Sequence, residues 1–242
     1  MARQNYYLLS SLPVLGELGS EPPLTLSDML KAVGQADGPQ ELVAAILLGD
    51  DLLQREAFLT GEIEQVEPAV LTAAQARNEE PMPEYLAIGQ EHSERTTVTD
   101  ILWAAYFYYA ASVAQRRAGK FLAAWVNYEV SMRNALASAR AKALGLGVED
   151  YLVVRELGGE EDFSALIAEW SAAVDPLEGL QIIDKARWNW LIEHDGWFTF
   201  ADDEVASYAA KAMLLTRWSR VKSESQNGPW FRPRPAGAAR ED

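Results

Sequence analysis

The chain contains no cysteine in its 242 residues. That removes disulfides, thiolate nucleophiles, zinc fingers and cysteine-held iron–sulfur clusters together. Only two histidines are present, which leaves little room for imidazole-based metal or acid–base chemistry. Basic residues are also in short supply, 21 against 36 acidic ones for a net charge of −15. No general attraction to nucleic acid or to an anionic membrane surface is expected, and a basic partner fits better. Long apolar runs are missing as well. The stretch Tyr6 to Leu15 is short and broken by Pro13, and nowhere do about 20 residues escape charge, the length a bilayer crossing needs. The composition therefore predicts a cytoplasmic protein with no direct membrane insertion.

What is present is an apolar fraction of 49%, enough to build a substantial core. The charge is uneven, with 7 basic and 17 acidic residues in 1–119 against 14 and 19 in 120–242. Thr25-Leu-Ser-Asp28 has the capping-box pattern of a helix start. From Gln40 to Leu59 apolar residues recur at helical spacing with a possible break at Gly49, and Ala69 to Ala76 reads as a short helix. Thr97-Val-Thr-Asp100 opens a helix over Ile101 to Arg117, and Gly119 ends it. Between Lys120 and Leu144, Phe121, Trp125, Tyr128, Met132 and Leu136 fall on one helical face. Two long helices meeting at one glycine predict an antiparallel hairpin long enough to span the molecule.

Asp175-Pro176-Leu-Glu178 starts a helix that runs to about Glu193, and Asp202-Asp203-Glu204 starts the last one. Only the Tyr6–Leu12 and Val148–Leu157 stretches read as extended. The expected fold is all-α, an elongated helical bundle. Residues 1–225 form a single all-helical domain, with an acidic half at 1–119 and a long-helix half at 120–225. The Arg/Pro-rich residues 226–242 read as a disordered tail.

Chemistry-bearing constellations are few. Asp50-Asp51 and Asp202-Asp203 have some likeness to the aspartate-rich magnesium motifs of all-α enzymes acting on diphosphates. Position 55 is Arg, however, and Ser207 falls one residue late. Helix-start and surface acids explain both clusters more simply. No catalytic, metal or cofactor residue is assigned. Charged residues in aromatic surroundings carry more interest: Glu129 and Arg133 at i, i+4, and Asp184 and Arg187 at i, i+3. Each spacing allows an ion pair. In the interior the four would form a network fixing helix register, and on the surface two ordinary pairs.

Two stretches resemble a known family. Tyr6-Tyr7-Leu-Leu-Ser-Ser-Leu-Pro13 with Pro22-Pro23 is the first. The second is Trp125-Val-Asn-Tyr128-Glu129, Arg133-Asn134, Asp184-Lys-Ala-Arg187-Trp188, then Tyr208, Lys211 and Arg217-Trp218. Both are similar to a bacterial family encoded within V-type ATP synthase operons and likened to the funnel-shaped central-stalk component of V-type ATPases. The resemblance implies an all-α spacer without catalysis that seats the rotor shaft on the membrane ring. Its partners would be those rotor subunits, and it would be peripheral to the inner membrane through protein contacts. Interaction or structural roles then fall on Trp125, Tyr128, Glu129, Arg133, Asn134, Asp184, Arg187, Trp188, Arg217 and Trp218. An assembly factor for the same complex is the alternative binding reading, and the magnesium-dependent diphosphate enzyme is the alternative outside it.

Overall fold

The protein is described by a computed structural model covering residues 4–87, 98–196 and 198–227. Its described residues are all-α, with no strand among them. Helices α1 (Gln4–Ser11), α2 (Leu26–Gln35) and α3 (Gln40–Leu59) are followed by two single turns, α4 (Ala73–Ala76) and α5 (Glu84–Ala87). The long helices α6 (Val98–Arg117) and α7 (Lys120–Ala143) come next, then α8 (Ser164–Ser171), α9 (Pro176–Glu193) and α10 (Asp202–Asn227).

Local chemistry sets several of these starts. Thr25 Oγ1 accepts from the Asp28 N–H at 3.1 Å, satisfying an orphan donor of the first turn. Asp175 does the same for the Glu178 N–H at 2.8 Å, with Pro176 fixing the first helical φ. At α10, Asp203 reaches outward instead and accepts from the Phe121 N–H at 3.0 Å, tying its helix start to that of α7.

Helix α3 is the centre of the fold. Leu42, Val43, Ala45, Ile46, Leu47 and Leu48 are all buried, so the helix is apolar around its circumference, as an interior helix must be. Its Leu42 and Ile46 side belongs to a core shared with α6, α7 and α9. Val43 and Leu47 pack on the other side with Leu8, Met29, Val33 and Val205 from α1, α2 and α10. Ala118 and Gly119 join α6 to α7, and the two helices pack on one another.

The structure departs from the sequence reading in places. Tyr6–Leu12 is not extended: α1 is helical there, because it buries Leu8 and ties Asn5 to Asp202 at 2.7 Å. α3 does not break at Gly49; a Cβ there would lie 2.8 Å from Tyr106 Oη, so the glycine serves helix packing. Val148–Leu157 forms two 3-10 turns, not a strand, with Val154 between them at φ +40°. The helix expected over Ala69 to Ala76 is confined to Ala73–Ala76, since the N–H groups of 69–71 are drawn to Asp51. α10 continues through Asn227, two residues into the stretch read as a tail. Residues 228–242 and the Thr97 cap lie outside the described residues. No helix among the described residues is long and apolar enough to cross a membrane.

Candidate functional site

A cavity of about 440 Å³ lies among α3, α6, α7, α9 and α10. Trp125, Glu129, Arg133, Arg187 and Arg217 line it, so half of the sequence-derived candidates converge on one space. At its inner end, Arg187 Nε and Nη2 donate to the two Glu129 carboxylate oxygens at 2.7 and 2.9 Å. Arg187 Nη1 donates to Asp184 Oδ1 at 3.0 Å. The same Asp184 oxygen faces Arg217 Nη1 at 3.5 Å.

Asp184 is fully interior, with a side chain 1% exposed. A buried carboxylate of this kind is tolerated only when charged donors surround it. Burial works against the Arg187 charge, but the Glu129 and Asp184 carboxylates outweigh it and hold the guanidinium above its usual range. Arg217 behaves oppositely. Burial lowers its pKa, and the more distant Asp184 offsets this only in part.

The network corrects one expected pairing. Glu129 and Arg133 do not form the i, i+4 ion pair; Glu129 turns to Arg187, and Arg133 to Asp100 at 3.4 Å. The Arg133 guanidinium also lies 4.9 Å from the centre of the Trp103 ring, a cation–π contact. Burial pushes Arg133 down from its usual value against the pull of Glu56 and Asp100. Trp103 Nε1 in turn donates to Glu56 at 2.6 Å, while burial raises the Glu56 carboxyl.

Trp125 and Tyr128 are core residues, each in ring contact with Trp190 at centroid distances of 5.4 and 4.9 Å. Asn134 braces the backbone instead, since its side chain accepts from the Val153 N–H at 2.8 Å and donates to the Val153 carbonyl at 2.9 Å. Trp188 is buried in the main core. Trp218 is not brought to the cavity; it packs beside Gly19, near Lys222. Resemblance residues at opposite ends of the chain do meet, however, because the Tyr208 hydroxyl donates to the Pro13 carbonyl at 2.7 Å.

The aspartates of the magnesium-like motifs are engaged by protein groups. Asp50 accepts from Arg220 Nη2 at 2.5 Å and Gln54 Nε2 at 3.0 Å. Asp51 accepts the N–H groups of Ala69, Val70 and Leu71 at 2.8, 2.7 and 2.8 Å. Asp202 binds Asn5, and Glu204 accepts from the Phe198 and Phe200 N–H groups. Among the described residues no three His, Asp or Glu side chains are grouped so as to hold a metal.

The aromatic run of α6 admits two readings from sequence, a ligand box or core packing, and Trp103, Tyr106 and Phe107 both line the cavity and pack in the main core. Met213 and Leu214 of α10, Leu146 beyond α7 and the charged Asp50, Asp100 and Arg140 are among its other lining residues. Arg220, the partner of Asp50, carries no local signal, since 170 residues separate the two.

Residues 56–173 match the model of a protein family of unknown function, DUF2764. The matched segment contains Glu129, Arg133 and Asn134 and ends before Asp184, Arg187 and Arg217. No curated protein and no solved structure matches the chain.

Proposed function

We propose that this chain is a non-enzymatic coupling component of a bacterial V-type ATPase, a central-stalk spacer between the rotor shaft and the membrane ring. The observation that carries the reading is the Trp- and Arg-rich pattern resembling the operon-encoded family. Its members Glu129, Asp184, Arg187 and Arg217 belong to one interior ion network. A component that transmits force through contacts needs helices that do not slide past one another. Close-packed interiors deform little, and paired interior charges oppose changes of register because separating them is costly. The network links α7, α9 and α10, and Arg220 extends the linkage from α10 to Asp50 on α3.

The net charge of −15 suits a basic face on the shaft or on a ring loop, with charge complementarity giving orientation and on-rate more than affinity. Attachment to the membrane is then through protein contacts. Affinity purification of the tagged protein from solubilised membranes of its native host, followed by a salt wash and mass spectrometry, tests this. Ring and shaft subunits retained at near-equal stoichiometry are the expected result. Complete absence of ATPase subunits before the wash would remove the proposal.

A further inference from the structure

The cavity's polar groups are unbalanced. Its carboxylates are largely occupied: both Glu129 oxygens accept from Arg187, and Asp50 accepts from Arg220 and Gln54. Its donors are in surplus. Arg217, with five N–H groups to place, has one ion-pair partner among the described residues, Asp184 at 3.5 Å. That partner is already held more closely by Arg187. Arg133 reaches Asp100 only at 3.4 Å and otherwise lies over the Trp103 ring. The Tyr106 hydroxyl faces the same cavity from a side chain 4% exposed, and finds no hydrogen-bond partner among the described residues. The one fully buried side-chain donor without a partner among the described residues is Trp190 Nε1, away from this cavity, so the spare donors of Arg217, Arg133 and Tyr106 remain accessible, and a ligand bearing acceptors can take them up.

Charge agrees with the donor census. Burial holds both Arg217 and Arg133 below the usual arginine range, so the surrounding carboxylates do not fully compensate these two guanidiniums. An added negative charge between them is favoured.

Shape narrows the ligand further. The lining follows one face of α7 through Trp125, Glu129, Arg133, Ala137 and Ala141 to Leu144, about 28 Å of helix at 1.5 Å per residue. The cavity of about 440 Å³ is therefore elongated along that face and partly open to solvent. Its outer end is open to solvent at Leu144, Leu146 and Tyr151, with the exposed Arg140 one turn before Leu144. The Arg217 and Arg133 side chains, 19% and 32% exposed, are better covered than Leu144, Leu146 and Tyr151 at the open end.

We propose that this cavity binds a single-headed amphipathic anion, a carboxylate or phosphate monoester on an elongated aliphatic chain. The head sits against Arg217, Arg133 and the Tyr106 hydroxyl, and the chain runs along α7 toward Leu144 and Leu146. The proposal is independent of any role in an ATPase.

Isothermal titration of the full chain with decanoate, decyl phosphate, decanol, acetate and inorganic phosphate separates head from chain. Decanoate or decyl phosphate binds saturably at one per chain, and the tighter of the two names the head group. Decanol, acetate and inorganic phosphate each bind at least about tenfold more weakly, because each lacks one of the two contributions. Arg217→Gln lowers the affinity for the preferred anion by about tenfold or more and leaves decanol unchanged. Ala137→Trp blocks the cavity and abolishes binding of both. No saturable binding of either long-chain anion overturns the proposal, as does decanol matching the anions, or an Arg217→Gln protein that is folded by circular dichroism and binds like the unaltered one. The ligand series needs no variant, so a misfolded substitution does not decide the outcome.

Discussion

Arg187 on α9 grips Glu129 on α7 with two hydrogen bonds, Nε to Oε1 at 2.7 Å and Nη2 to Oε2 at 2.9 Å. This bidentate geometry is the strongest form of guanidinium–carboxylate contact, and both side chains are only 17% exposed. Removing the arginine alone leaves Glu129 without its partner and Asp184 with only the longer Arg217 contact. Arg187→Ala is therefore expected to cost about 3–5 kcal/mol, read as a lowered urea midpoint. Replacing both partners, as Glu129→Leu with Arg187→Met, is expected to cost less, since Glu129 is then not left stranded and only Asp184, still 3.5 Å from Arg217, has lost a partner. An Arg187→Ala protein with an unchanged midpoint would show that the network does not hold the helices.

How much of this was legible follows from how local each signal is. The bounds of α3, α7 and α9 are set by apolar spacing and by caps such as Asp175, which sequence carries directly. Glu129, Arg133, Asp184 and Arg187 stand out for the same reason, as charges amid aromatics. Their pairing does not, because i, i+4 spacing tells only that Glu129 reaches Arg133, while its preferred partner comes from α9. Tyr6–Leu12 misleads through its β-favouring tyrosines, and α1 is decided by the burial of Leu8, a tertiary effect overriding propensity. α8 has an apolar centre at Ala165, Leu166 and Ile167 but no side-chain cap bond to mark its start. The cavity as a whole is illegible, since it exists only once five helices have been placed.

Asp51 gives a pH dependence whose direction can be worked out. Burial pushes its carboxyl up to about 6, against three backbone N–H donors that favour the anion. In the unfolded chain it titrates near 4. Between these values the folded state binds the proton more readily, so this group favours folding most below pH 4, and the contribution is lost as pH rises through 6. A two-unit difference corresponds to about 2–3 kcal/mol. The difference in unfolding free energy between the unaltered protein and Asp51→Asn isolates this titration, because other groups cancel. That difference is expected to shrink by about this amount from pH 4 to pH 7. A difference that widens instead would mean that the three donors win and the carboxyl sits below its unfolded value.

Asn134 holds the segment after α7 by completing both backbone hydrogen bonds of Val153. Val153 is 1% exposed, so water cannot replace the lost partner readily. Asn134→Ala is expected to cost about 1–3 kcal/mol and to speed amide exchange selectively over residues 148–158. Asn134→Asp is expected to be at least as harmful, because a carboxylate cannot donate to the Val153 carbonyl. Exchange slowed nowhere and quickened nowhere in either variant would disprove this anchoring role.

Gly49 inverts the usual expectation for a glycine inside a helix. On propensity alone, Gly49→Ala would stabilise α3 by up to about 1 kcal/mol. A Cβ at this position, however, would meet Tyr106 Oη at 2.8 Å and Cζ at 3.2 Å, and Tyr106 is wedged in the core with Trp103 and Phe107 against it. Overpacking of this kind costs about 1–3 kcal/mol, so the net effect of Gly49→Ala is a loss of stability and a lower melting temperature. Tyr106→Phe removes the closest atom and leaves the 3.2 Å approach. The double variant Gly49→Ala with Tyr106→Phe is therefore expected to melt above the Gly49→Ala single variant. The two substitutions should couple by more than the few tenths of a kcal/mol that separate independent sites. Strict additivity in that double-mutant cycle, or a rise in melting temperature for Gly49→Ala alone, would mean that α6 yields at this contact and that the glycine is not required by Tyr106.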